Sequence, residues 1–268
     1  GSCVYHEDII PLTTGWNLIS TNKTPAVNTM QDIFSTLMPG NLIYVTGFNM
    51  GSSLYNPNGL PWLNTLNQFA DGYGYWVKVN ADATLIVNDA IPLDPAIVYD
   101  LHAGANLVSF PYEGSVDIAD ALPDDIEGLV TGIIGEGVAA SPNSNLPSGW
   151  AGSLTSWQGT KGYWLKMSDD ASFSFNIPDG LVRKSLPEDI QKAPVGFDFD
   201  QSTQQAFYFV NSATIGGEPL EKEDLIIAYN GDVRVGSRYW YGETTDVPAM
   251  GADGSDTSAG YCSEGDKI

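Results

Sequence analysis

The sequence predicts a mainly β protein of α+β type: two tandem, duplicated, mostly-β modules, each with one short helix, followed by a β-sandwich. Three observations predict it. A set of motifs recurs about 88 residues apart. Each recurrence sits among short apolar or alternating runs bounded by Gly, Asn, Asp and Pro. After Gly196 the recurring motifs vanish and new hairpin signals replace them. A chain of 268 residues with 43% hydrophobic content has room for two or three domains and a sizeable core.

The first module opens with a strand at Trp16 to Ser20, apolar on both faces, and its counterpart is Ala105 to Phe110. Gly15-Trp16-Asn17-Leu18-Ile19-Ser20 matches Gly104-Ala105-Asn106-Leu107-Val108-Ser109. One short helix follows, over Val27 to Leu37 and again over Val116 to Leu122. Asn28 or Thr29 is the predicted N-cap of the first, and Ser115 of the second. A strand at Ile43 to Thr46 carries Val45-Thr46-Gly47, which recurs as Val130-Thr131-Gly132. After a Gly/Asn/Pro/Ser loop (Gly51 to Pro61; Ser141 to Gly149), Trp62, Leu66 and Phe69 match Trp150, Leu154 and Trp157. The Gly-Tyr-Trp strand comes next, Gly74 to Val79 and Gly162 to Met167, and Ala83 to Val87 or Ser172 to Phe175 closes each module.

The modules are placed at residues 1–95 and 96–183, with a linker at 184–195 containing Pro187. Residues 196–268 read as an immunoglobulin-like β-sandwich. There Gln205 to Ile215 alternates, with Phe207, Phe209 and Ile215 on one face. Leu225 to Tyr229 and Val233 to Tyr241 flank Asn230-Gly231, a type I′ hairpin signal. Gly265 to Ile268 reads as a turn entering a further strand, so the sandwich is expected to lack its last strands, supplied by a longer natural chain or by another molecule.

Charge narrows the function. Thirty-three acids against eleven bases give −22. Binding nucleic acid or anionic lipid requires a basic surface, so both are expected absent. No apolar run is long enough to cross a bilayer.

The pair GWNLIS…GYGYWVKV, repeated as GANLVSFP…GTKGYWLKM, resembles tandem modules of large secreted and cell-surface bacterial proteins. The tail, with QQAFYFVNSATI, DLIIAYNGDVRVGSRYW and DVPAMGADGSDTSAGY, is similar to the sandwich that accompanies them ahead of a type IX secretion signal. The resemblance implies an extracellular, non-catalytic role in adhesion or in building a surface structure, with copies of itself or other surface proteins as partners. An accessory carbohydrate-binding region of a secreted hydrolase is the alternative.

Candidate sites are few. Asp246, Asp253 and Asp256 are placed in one loop as candidate calcium ligands, since calcium takes six to eight hard oxygens. Tyr239-Trp240-Tyr241 is the unduplicated aromatic run and hence the candidate glycan platform, whereas the recurring Trp residues read as duplicated core. Lys78 and Lys166 recur beside Trp, as ion-pair partners or as stems packed on a ring. Cys3 and Cys262 are candidates for a disulfide within the chain, with free thiols or a link to a neighbouring chain as alternatives. The two histidines, His6 and His102, have no metal-ligand spacing. Ser20 and Lys23 form Ser-x-x-Lys without companion motifs, and Gly132 to Gly137 lacks the ending of a phosphate loop. No enzyme activity is therefore expected. Asn22-Lys23-Thr24 is a lone glycosylation sequon.

Overall fold

A computed structural model describes residues 6–38, 40–48, 51–54, 63–176, 193–242 and 244–268. The chain is mainly β: among the described residues about 46% lie in strands, and there are three short helices. It divides into two compact units, residues 1–131 with 156–184 and residues 132–155 with 185–268. The division passes through the second repeat, at Gly132 and Thr155. The predicted linker at 184–195 lies largely outside the described residues, as do Cys3 and Trp62.

In the first repeat the strands are β1 (His6–Leu12), β2 (Gly15–Ile19), β3 (Lys23–Pro25), β4 (Leu42–Gly47), β5 (Gly51–Leu54), β6 (Leu63–Asn64), β7 (Tyr75–Val79) and β8 (Ala83–Pro92). They form a five-stranded sheet of order β2-β7-β4-β5-β6 and a three-stranded one of order β1-β8-β3. The helix is shorter than expected: α1 (Met30–Ile33), extended by a 3-10 turn at Ser35–Leu37. Thr29 is its N-cap, its hydroxyl accepting from the Asp32 N–H and donating back to the Asp32 carboxylate. Met30, Ile33, Phe34 and Leu37 drop from this segment into a core that includes Ile10, Val45, Phe69, Tyr75, Val77 and Leu85.

The second repeat supplies β9 (Tyr99–Leu101), β10 (Gly104–Val108), β11 (Ser115–Asp117), α2 (Ile118–Ala121), α3 (Asp124–Glu127), β12 (Val130–Ile134), β13 (Ala139–Pro142), β14 (Trp150–Ala151), β15 (Ser156–Gln158), β16 (Tyr163–Met167) and β17 (Ala171–Phe173). Gly104 to Val108 pair with Met167 to Tyr163 in the same register as Gly15 to Ile19 with Val79 to Tyr75. Two expectations fail here. Ser115 is not a helix cap but a strand residue, because Ser115 to Asp117 pair with Gln158 to Ser156. The single predicted helix is two, since Pro123 lacks the N–H to continue α2 and instead precedes α3. In the first unit the aromatic core of this repeat is Tyr99, Phe110, Trp157, Tyr163, Phe173 and Phe175, in mutual ring contact.

The C-terminal region has β18 (Gln204–Val210), β19 (Thr214–Ile215), β20 (Glu218–Pro219), β21 (Leu225–Asn230), β22 (Val233–Tyr239) and β23 (Thr245–Gly251). Among the described residues these pair as three two-stranded sheets: β18-β23 and β21-β22 enclose Ala228, Val235, Val247, Ala249, Met250 and Tyr261, and β19-β20 is exposed. The β21-β22 hairpin forms, but its turn differs from the expected type I′ at Asn230-Gly231: Asn230 is still paired, opposite Val233, and the two-residue loop is Gly231-Asp232, where Gly231 alone takes a positive φ, 59°. Alternation in β18 holds through Phe207 and Phe209 but stops at Val210, leaving Ile215 exposed on β19.

Candidate functional site

The motifs that recur are consumed by folding. Asn17 closes the turn into β2: its amide accepts the Thr13 N–H at 2.8 Å and donates to the Thr13 carbonyl at 2.8 Å. Asn106 does the same with His102, at 3.1 and 2.8 Å. The Tyr75 hydroxyl accepts the Ala70 N–H at 2.7 Å, and that of Tyr163 accepts the Gln158 N–H at 2.7 Å. Burial and the loss of hydration push both phenols well above their usual range. Lys78 stands opposite Trp16 and places its ammonium 5.2 Å from that ring. Lys166 stands opposite Ala105 and has no such ring across from it.

Within the first unit the two repeats meet reciprocally. Ser20 N–H donates to the Thr160 carbonyl at 3.1 Å and Ser109 N–H to that of Gly72 at 3.0 Å. Gly162 N–H donates to the Leu18 carbonyl at 3.2 Å and Gly74 N–H to that of Leu107 at 3.3 Å. Each bond is the other's image under exchange of repeats, which is the isologous logic of a symmetric dimer. The two glycines are required by proximity. A Cβ on Gly74 would stand 3.2 Å from the Gly162 Cα, and one on Gly162 would stand 2.9 Å from the Ile19 carbonyl. Trp16, Leu18, Trp76 and Leu107 pack together here, with Tyr44 and Trp164 against them.

Beside this contact lies a cleft of about 230 Å³. The Asp71-Gly72-Tyr73 turn forms one side, held by the Tyr73–Val108 bridge and the Gly72 carbonyl. Residues 97–102 form the other, and Phe48 stands at the mouth. Tyr73 is 47% exposed and Val98 58%. The Phe48 ring lies 4.9 Å edge-on from Trp164 and 6.2 Å from His102. Two carboxylates face this apolar surface. Asp71 accepts the Thr24 hydroxyl at 2.7 Å and Asp100 accepts that of Ser172 at 2.6 Å. Exposed rings beside hydroxyl-binding carboxylates suit a neutral polyhydroxylated ring, whose apolar face stacks while its edge hydrogen-bonds. An anion is disfavoured by the same carboxylates.

This cleft was missed in the sequence because three of its lining residues occupy positions where the repeats differ. Asp71, Tyr73 and Phe48 correspond to Gly159, Lys161 and Ile133. Divergence at a junction of otherwise matched repeats was the available signal.

The predicted site residues are placed otherwise. Asp246 does not share a loop with Asp253 and Asp256; it lies fully buried in β23. Its carboxylate meets Arg238 Nη2 at 3.3 Å and accepts from the Ser153 N–H (2.7 Å), the Ser153 hydroxyl (2.7 Å) and the Ala139 N–H (3.2 Å). Arg238 also donates to the carbonyls of Asp246 and Gly137. Burial pushes the Asp246 carboxyl up, against the pull of Arg238 and Ser153. Its coordination sphere is filled by protein, so it is a structural lock. Asp253 organises its own loop, accepting from the Ser255 N–H and hydroxyl and the Ser258 hydroxyl. Partial burial would raise its pKa, but those bonds outweigh it and hold the carboxyl at about 2. Asp256 is exposed at the start of a 3-10 turn. Among the described residues no three His, Cys, Asp or Glu side chains converge as a metal site.

Tyr239, Trp240 and Tyr241 form no exposed row. Trp240 is buried and its neighbours are half-buried, and the Trp240 N–H continues the β21-β22 ladder by donating to the Asp224 carbonyl. Cys262 is half-buried, forms no disulfide among the described residues, and has its thiol pKa raised by burial and by the nearby Asp266. Asn22 of the sequon is 4% exposed, out of reach of glycosylation once folded. No protein-family model, curated protein or solved structure matches this chain.

Proposed function

We propose that this chain is a non-catalytic extracellular module for adhesion or structural assembly. The observation that carries this reading is the fate of the recurring residues. Asn17 and Asn106, Tyr75 and Tyr163, and Gly74 and Gly162 all serve turns, loops and the reciprocal contact between repeats. A module selected for such scaffolding is suited to bearing load and presenting surfaces. Among the described residues β18 pairs with β23 alone, which supports strand addition by a second copy as a mode of assembly. Asp253 and Asp256 remain the candidate calcium ligands of that assembly. Light scattering and electron microscopy of the purified chain, with calcium and then with chelator, test the reading. Ordered oligomers or filaments support it. A monomer under every condition removes self-assembly.

A second reading, an accessory carbohydrate-binding region, is favoured by the Phe48–Tyr73 cleft rather than by Tyr239 to Tyr241. A glycan array followed by calorimetry tests it. Binding that falls at least tenfold in Tyr73→Ala, with an unchanged melting temperature, supports the cleft. Binding that survives Tyr73→Ala places any glycan elsewhere.

A further inference from the structure

Asp8 on β1 and Lys23 on β3 form an ion pair that the fold itself does not require. Their side chains are 5% and 11% exposed, with Lys23 Nζ 3.6 Å from Asp8 Oδ1. In the second repeat the matching sequence positions are Ile97, half-buried ahead of β9, and Tyr112, buried, and neither is charged. Desolvating two opposite charges frequently costs more than their attraction returns, so a repeat that does without the pair marks it as kept for another reason.

We propose that Lys23 and Asp8 are the two halves of an intramolecular isopeptide cross-link, formed spontaneously once the sheet closes. Both backbones are anchored to β8, Asp8 opposite Val87 and Lys23 opposite Pro92, and the side chains meet at 3.6 Å, so no diffusional search is needed. Lys23 Nζ also donates to the Glu7 carbonyl at 2.7 Å, which fixes the end of its side chain beside the acid. Burial raises the Asp8 carboxyl, with Lys23 opposing and the negative charge of Glu113 adding to the rise. After a proton passes from the ammonium to the carboxylate, the Nζ lone pair attacks Asp8 Cγ. A C–N bond forms, the C–OH bond breaks, and the hydroxyl leaves with one amine proton as water. Nothing is oxidised or reduced. The bond would join the strands on either side of β8, so that β1 and β3 could not separate under load.

The test uses the full chain, with its cysteines reduced, and two mass measurements. The intact mass is expected to fall below the sequence mass by one water molecule. Trypsin is expected to leave the bond after Lys23 uncut, releasing residues 1–78 as one peptide lighter by one water. Lys23→Arg and Asp8→Ala are each expected to restore full mass, and in Lys23→Arg trypsin cleaves after residue 23. An intact wild-type mass equal to the sequence mass overturns the proposal. So does a water loss that persists in Lys23→Arg, which would assign it to another site such as an Asp-Gly succinimide.

Discussion

A single Cβ decides whether the repeats can meet. Gly162 faces the backbone carbonyl of Ile19, which cannot swing away as a side-chain tip can. Gly162→Ala is therefore expected to destabilise the chain by about 1–3 kcal/mol in denaturant titration, as overpacking does. Gly128→Ala is the control, because its Cβ would meet nothing within 4 Å and its backbone is already helical. That change is expected to stay within about 0.5 kcal/mol of the parent. Asp253 provides a pH test at the same scale. Its folded pKa lies below the ordinary value, so its stabilising contribution is present above about pH 4 and is lost as pH falls through about 2. Because the group is partly solvated, about 1 kcal/mol is expected after allowance for screening. Melting curves of Asp253→Asn should sit below the parent at pH 7 and converge with it near pH 2.

At the scale of elements, the local signals located strands better than helices. Trp16 to Ser20, the Gly-Tyr-Trp strands and the two strands of the β21-β22 hairpin are written in alternation and turn residues, and they form where expected, although the hairpin's turn falls one residue later than expected. Ser115 was misread because a serine before an apolar run looks like a cap, while its partner strand lies some 40 residues away. Asp246 was misread for the same reason: an acid near Asp-Gly-Ser-Asp looks solvated until β22 and β23 bring Arg238 against it. That lock joins β22, β23, the Gly137–Ala139 segment and Ser153 inside the second unit. Removing either partner strands a buried charge, so Arg238→Met and Asp246→Ala are each expected to cost about 3–5 kcal/mol. The double variant is expected to cost clearly less than the sum of the two, since it removes both charges. Additive losses in a double-mutant cycle would mean that the two side chains act independently.

For the whole molecule, a net charge of −22 on 268 residues imposes self-repulsion that eleven bases cannot cancel against thirty-three acids. Raising salt from about 10 to about 150 mM shortens the screening length from roughly 30 to 8 Å. The melting temperature is accordingly expected to rise across that range in a thermal scan. A fall would show that attractive surface pairs outweigh the excess of acids. This behaviour follows from composition alone and holds for both compact units.

The sequence by itself determined that the chain is mainly β, that a module is duplicated, and which residues anchor each copy, because these properties lie in local periodicity and in self-comparison. It carried the anchors without their reasons. Only the tertiary structure decided that Gly74 and Gly162 meet each other, that Asn17 and Asn106 close matching turns, and that Asp8 faces Lys23. It also decided that Trp240 is buried between half-buried neighbours while Phe48 and Tyr73 line a cleft. The physical reason is distance along the chain. A pairing between residues tens of positions apart leaves no periodic trace in either segment, and burial is set by the partner that covers a side chain rather than by the side chain itself.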